Sequence, residues 1–260
     1  MGTSGNRKMV FKRFTVFDEK CAMKIGTDGV TLGAWASPYS PTTSYAATTP
    51  LKIADIGSGS GVISLMLAQR FPDSSISAIE LEPQAAEQSR ENFVSSPFSS
   101  QLTCEEISFQ DWTDLKLNLS IFDLVVSNPP FFHGKPKSPF HARNLARHDD
   151  YLTIDELFNG ARKVLKEGGV FTLVWPSERE DDLMKSSTAH DFVQTKRCEI
   201  RPRPDRPAVR FLAEFVKITT PETKLERLES SILTLETGEG EGRNFTDEYS
   251  QLMSDFFLDK

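Results

Sequence analysis

Short apolar runs alternate along the chain with longer stretches in which apolar residues recur every three or four positions. LKIADIG (51–57), SSISAIEL (74–81), LTCEEISF (102–109), IFDLVVS (121–127) and VFTLVW (170–175) read as strands. Between them SGVISLMLAQRF (60–71) has helical spacing, and EPQAAEQSRENFV (82–94) places Pro83 where a first helical turn accepts it. TIDELFNGARKVLKEGG (153–169) opens on a Thr-x-x-Glu capping box and closes on glycine, which predicts a helix. Such alternation predicts parallel β/α units with helices on both faces of a doubly wound sheet. After Trp175 the rhythm changes. A helix over about 178–190 is followed by DFVQTKRCEI and AVRFLAEFVKI, two runs short enough to pair antiparallel at the edge of a sheet of seven strands. The three prolines of RPRPDRP (201–207) hold their connection extended. SPYSPTTSYAATTP (37–50) and GEGEGRN (238–244) read as loops. No repeat is visible, and one domain over 1–260 is expected, with an N-terminal segment 1–50 and a C-terminal extension 218–260.

Composition leaves this picture intact, with 38% hydrophobic and 26% charged residues. No run approaches the ~18 apolar residues of a membrane span, and charges cut MGTSGNRKMVFKRF before a signal-peptide core can form. Cys21, Cys104 and Cys198 are widely spaced and form no CxxC, so neither disulfides nor zinc are expected, and the cytoplasm is the expected compartment. His133, His141 and His148 match no common ligand spacing, so no metal is expected. Net charge is −7, yet six Lys/Arg face two acids over 1–24 and seven face three over 193–217. Two basic segments on an acidic body could line one face for nucleic acid. Charge alone favours the plainer reading of two solvated surfaces.

Chemistry enters with ADIGSGSG (54–61), which joins the first sheet strand to its helix with glycines at 57, 59 and 61. Glycine lets the backbone turn sharply and approach a ligand. Glu80 ends the next strand, where an acid accepts hydrogen bonds from ribose hydroxyls. Together they specify an adenosine-containing ligand at the carboxyl edge. The spacing is GxGxG preceded by Asp55, unlike the GxGxxG of dinucleotide binders. It resembles the first motif of class I S-adenosylmethionine (SAM)-dependent methyltransferases, and SAM is the expected cofactor.

FDLVVSNPPFF (122–132) then ends an apolar strand in an amide, two prolines and two aromatic rings. The fourth strand of such a sheet lies beside the first, so Asn128 faces the same crevice. The lone pair of an exocyclic amine such as adenine N6 is delocalised into the ring. An amide oxygen from Asn128 and a carbonyl from Pro129 can accept its two N–H bonds and steer the nitrogen toward pyramidal geometry. Pro130 follows, and Phe131 can stack on the base plane. Positioning and electrostatics suffice, and no strong general base is needed.

NPPF also occurs in DNA adenine, release-factor glutamine and rRNA guanine methyltransferases. CAMKIGTDGVTLGAWA (21–36) narrows the choice. It resembles the signature of the bacterial tRNA1(Val) (adenine-37-N6)-methyltransferases, and the likeness extends to DIGSGSGVISLMLAQR, FDLVVSNPPFF, RNLARH (143–148) and NFTDEYSQLMSDFFL (244–258). The resemblance implies a class I methyltransferase fold, a short N-terminal helix over the cofactor, and methylation of the adenine beside the anticodon. It implies Lys24, Gly26 and Thr27 near the methionine end of SAM, Asp55, Gly57 and Gly59 at its centre, Glu80 on the ribose, and Asn128, Pro129 and Phe131 in catalysis. Gly61 completes the loop. Where the family usually has an Asp for the cofactor adenine this chain has Ser108, and Asp111 is the substitute three residues on.

An anticodon-loop base is already partly unstacked, which lowers the cost of extruding it. Arg201, Arg203, Arg206 and Arg210, with Lys135, Lys137, Arg143 and Arg147 beside the active site, are candidate phosphate contacts to the anticodon stem-loop. The protein is expected to act as a monomer. The alternatives are glutamine methylation of release factors, adenine methylation of another RNA or of DNA, and a SAM-binding RNA chaperone. The first normally carries a helical domain ahead of the glycine loop, and only about fifty residues stand there.

Overall fold

The computed structural model describes residues 7–39, 50–115, 120–130, 152–218, 228–240 and 242–258. A small antiparallel hairpin comes first, β1 (Lys8–Val10) and β2 (Thr15–Phe17), followed by α1 (Thr27–Trp35). The alternating part contains β3 (Lys52–Ile56), α2 (Val62–Arg70), β4 (Ser75–Glu80), α3 (Pro83–Val94), β5 (Leu102–Glu106) and α4 (Phe109–Leu115). It continues with β6 (Phe122–Ser127), α5 (Ile154–Val164), β7 (Leu165–Pro176) and α6 (Glu180–Ala189). Then come β8 (Phe192–Arg201), β9 (Arg210–Lys217), β10 (Glu229–Thr234) and α7 (Asp247–Leu252).

The main sheet has the order β10-β8-β9-β7-β6-β3-β4-β5. β3 to β7 are parallel, and β9 runs antiparallel between β7 and β8. The mostly parallel sheet and its antiparallel pair are therefore as expected. The sheet gains an eighth strand because β10 adds parallel to β8, which moves the β8–β9 pair inside the edge. The strand sides alternate as period-two side chains require. Leu124 and Val126 face one core with Val30, Leu65 and Phe93, and Val125 faces a second with Trp112, Leu157 and Phe158; Phe122 joins that second core because the register shifts between Phe122 and Leu124.

Two boundaries differ from the pattern reading. The capping box of α5 is present, with Thr153 and Glu156 bonding each other's backbone amides, but the helix stops at Val164. Leu165 pairs with Phe122, and the Lys217 ammonium donates to the Leu165 carbonyl (2.9 Å). Gly168 then takes a left-handed φ of 69°, so KEGG forms a bulge before Val170 pairs with Leu124. β5 ends at Glu106 rather than 109, because the Ser108 hydroxyl accepts from the Asp111 amide (3.0 Å) and starts α4.

Candidate active site

The site begins with a register. Ile56 of β3 pairs with Ser127 of β6 on one side and with Ile79 of β4 on the other. The Ser127 hydroxyl donates to the Ile56 carbonyl (2.9 Å), fastening the two strand ends together. Gly57 and Asn128, each the next residue, therefore leave adjacent strands side by side. This is also the point where strand order reverses, since β4 lies on one side of β3 and β6 on the other.

The glycine loop is lashed to β4 through the Ile79 carbonyl, which accepts from the amides of Gly57 (2.8 Å) and Ser58 (3.2 Å). Gly57 and Gly59 have φ of 69° and 56°, and a Cβ on either would meet nothing within 4 Å. They open a cradle that side chains would strain. Gly61 differs: a Cβ there would collide with the Phe93 ring, so it serves close packing of the loop on α3. The two carboxylate oxygens of Glu80 accept the amides of Gly59 (2.8 Å) and Glu82 (2.9 Å). Asp55 is wholly buried, and one of its oxygens accepts the amide (3.1 Å) and hydroxyl (2.7 Å) of Ser64. The other oxygen has no hydrogen-bond partner among the described residues. Burial pushes this carboxyl up to about 7, against the lowering pull of Ser64 and with a smaller push from Glu80.

Gly26 is the N-cap of α1 and Thr27 its first residue. The helix lies near the Asn-Pro turn, since a Cβ on Gly29 would stand 3.5 Å from the Asn128 amide nitrogen. Lys24 is engaged within its own loop, where its ammonium donates to the carbonyls of Asp18 (2.7 Å), Glu19 (3.0 Å) and Cys21 (2.7 Å). Buried Asp18 in turn accepts the Ile25 amide (2.8 Å). Ser108 donates its hydroxyl to Asp111 (2.7 Å), so the two form one helix cap; they stand near Glu80, whose carbonyl accepts the Ile107 amide (3.0 Å). Pro129 is buried and Pro130 exposed. Phe131, Lys135, Lys137, Arg143 and Arg147, and the three loop histidines, lie outside the described residues.

The four remaining arginines gather at the same carboxyl edge, because Pro176 and Ile200 both pair with Arg210. Each has an acid nearby: Arg201 with Glu199 (3.6 Å), Arg203 with Glu236 (3.5 Å), Arg206 with Asp205 (3.6 Å) and Arg210 with Asp28 (3.3 Å). The pattern reading passed over Gly29, Asp28 and Arg243. Gly29 and Gly33 are four apart in α1 and both face α2 or its neighbour, touching Val62 and Met66, a helical small-residue spacing that was legible in the sequence. Arg243 sits in a glycine-rich run and pairs with Glu236 only because Glu236 and Phe245 form a bridge.

A predicted O-methyltransferase from Agrobacterium tumefaciens shares the fold at 18% identity, with a TM-score of 0.63 over 88% of this chain and 96% of that one. TYW2 of P. horikoshii in complex with MeSAdo does so at 12% identity, with a TM-score of 0.56 over 83% of this chain and 72% of that one. The doubly wound sheet, the open glycine cradle, the acid on the neighbouring strand and the Asn-Pro turn at the reversal of strand order define a class I methyltransferase. The methyltransferase small domain family matches residues 44–196. tRNA1(Val) (adenine(37)-N6)-methyltransferases of Parabacteroides distasonis and Christiangramia forsetii are 37% and 36% identical, covering 95% and 97% of this chain and 96% and 98% of their own. That of Trichodesmium erythraeum is 34% identical over 98% of this chain and 99% of its own. The chain belongs to the tRNA1(Val) (adenine(37)-N6)-methyltransferase family.

Proposed function

We propose that the chain transfers a methyl group from SAM to N6 of adenine 37 in tRNA1(Val), reading the anticodon stem-loop. The observation that carries this is the register that sets Asn128 beside Gly57, with the Asn-Pro turn and the glycine loop on neighbouring strand ends. The names of the full-length relatives support the choice of substrate.

The residues present fit the cofactor. Open space over Gly57 and Gly59 among the described residues admits it, and Glu80, on the neighbouring strand end with its carboxylate turned to the loop amides, is the residue to hold the ribose. When bound, SAM supplies an electrophilic methyl group on a sulfonium. The chain's residues orient the acceptor. The Asn128 amide oxygen and the Pro129 carbonyl accept the two N–H bonds of the adenine amine and hold its lone pair toward the cradle. Phe131 stacks on the base. Gly29 of α1 lies beside Asn128, where even a Cβ would sit in ordinary contact with the amide nitrogen at 3.5 Å. The amine proton becomes acidic as the methyl arrives, so it departs to solvent without a dedicated base.

Asn128→Ala tests the assignment. Loss of one positioned amide is expected to lower transfer of labelled methyl from SAM to tRNA by about a hundredfold or more while cofactor binding persists. Transfer at the wild-type rate would remove Asn128 from catalysis.

A further inference from the structure

A cavity of about 640 Å³ opens between β1, the first turn of α1 and α7. Its walls are apolar and aromatic: Met9, Val10, Ile25, Phe245, Tyr249 and Phe257. The Phe245 ring meets Tyr249 edge-on at 5.0 Å and stacks with Phe257 at 5.8 Å, so the three rings form one aromatic wall. Gly26 at the N-cap of α1 and Val30 within it line the cavity, while a Cβ on Gly29 would stand 3.5 Å from the Asn128 amide nitrogen. The start of α1 therefore stands between the cavity and the catalytic amide.

The cavity also belongs to the catalytic edge. The Leu235 and Glu236 amides donate to the carbonyls of Arg201 and Pro202, just past the end of β8, and Glu236 bridges to Phe245. Arg210, whose backbone starts β9 at that edge, reaches Asp28 in the first turn of α1. At the rim Arg243 lines the cavity and pairs with Glu236, and Arg203 pairs with the same carboxylate. Two guanidinium groups on one acid leave positive charge at the mouth of an apolar, aromatic hollow. Arg243 also lies over the Phe245 ring at 5.7 Å.

One ligand chemistry matches an aromatic wall beneath a cationic rim: a flat base carried on a phosphate backbone. Resting on the RNA-methylation reading above, we propose that this cavity receives a nucleobase flanking the target adenine in the same RNA, with its phosphate held by Arg243 and Arg203. The two bases then straddle the first turn of α1. This second base anchors the loop while the target adenine is held at Asn128, and it adds sequence context that Asn-Pro-Pro-Phe alone does not supply.

The test pairs protein variants with altered RNA. Steady-state methylation is measured on an anticodon stem-loop that is intact, or abasic at the nucleotide on either side of the target. The wild type is compared with Phe245→Ala, which removes part of the aromatic wall, and with Ser250→Trp, which fills the cavity from its exposed side. Cofactor binding reports that each variant is folded, and the two variants alter the cavity in opposite directions, so a folding defect in one leaves the other decisive. One of the abasic RNAs is expected to raise the wild-type KM about tenfold. The same abasic change costs little in either variant, because the contact is already lost, and kcat stays within about twofold. The proposal is overturned if the intact RNA is methylated but every abasic change costs wild type and variants alike, or costs nothing. No methylation of the intact stem-loop by the wild type would refute the RNA reading itself, and this inference with it.

Discussion

At Asp55 a carboxyl is held in a place where its ionised form is disfavoured. Its folded value near 7 lies above its ordinary 3.8, so the folded protein keeps a proton that the unfolded chain has released between those two pH values. The contribution of Asp55 to the stability of the cofactor-free protein therefore falls as pH rises from about 4 to about 7, by up to about 1.4 kcal/mol per unit, and the loss is complete above that window. Asn at this position keeps the acceptor for Ser64 and has no charge to bury. Asp55→Asn is expected to be more stable than wild type at pH 8, to lose this slope, and to bind SAM more weakly, as strained functional groups do. Thermal unfolding between pH 4 and pH 8 checks this; parallel curves for the two proteins would exclude it. The sequence displays Asp55 and the glycines plainly, because their spacing carries the chemistry. It does not display the division of labour among the glycines. Gly57 and Gly59 look like Gly61, and only the Phe93 ring, brought in by α3, separates a packing glycine from two cradle glycines. Lys24 is similar: its identity suggests a cofactor contact, while its fold context spends all three N–H bonds on its own loop.

At the scale of elements, the first turn of α1 is tied down from two directions. Lys24 and Asp18 shape the loop ahead of it, and Asp28 reaches across to Arg210 at the start of β9. Burial raises the Asp28 carboxyl and Arg210 lowers it, so removing the arginine leaves a half-buried acid without that counter-charge. Arg210→Ala is expected to cost about 1 kcal/mol, and to speed amide exchange in α1 while leaving α5 unchanged. Exchange that rises equally in both helices, or in neither, would show that the pair does not hold α1. Elements that bury apolar residues were legible from pattern, as for β3, β4, β6, α2 and α3. Those defined by long-range pairing were not. β10 is exposed along most of its length and has no alternation to betray it, so its existence depends on β8. The end of α5 was misplaced because VLKEGG favours helix locally, whereas Leu165 gains a ladder partner in Phe122 and Gly168 a left-handed turn. The cap of α4 was readable, since Ser108 with Asp111 three residues on is a capping signature.

For the whole molecule, one edge of the sheet gathers the cradle, the Asn-Pro turn, the arginines from Arg201 to Arg210 and the aromatic cavity. The chain carries seven more acids than bases, yet its cations converge there because β8, β9 and the 236–245 bridge all bring their loops to the carboxyl ends of the parallel strands. Each of those arginines lies beside an acid, which offsets part of its charge at this edge. Among the described residues no helix is long and apolar enough to cross a membrane.

The most direct measurement is nucleoside mass spectrometry, with position mapping, on tRNA from cells lacking the modification after incubation with the purified protein and SAM. One new N6-methyladenosine is expected, located at the adenine beside the anticodon of tRNA1(Val) and reduced by about a hundredfold or more at equal incubation time when Asn128→Ala replaces the wild type. SAM binding without any N6-methyladenosine, or methyl groups spread over many tRNA positions, would contradict it.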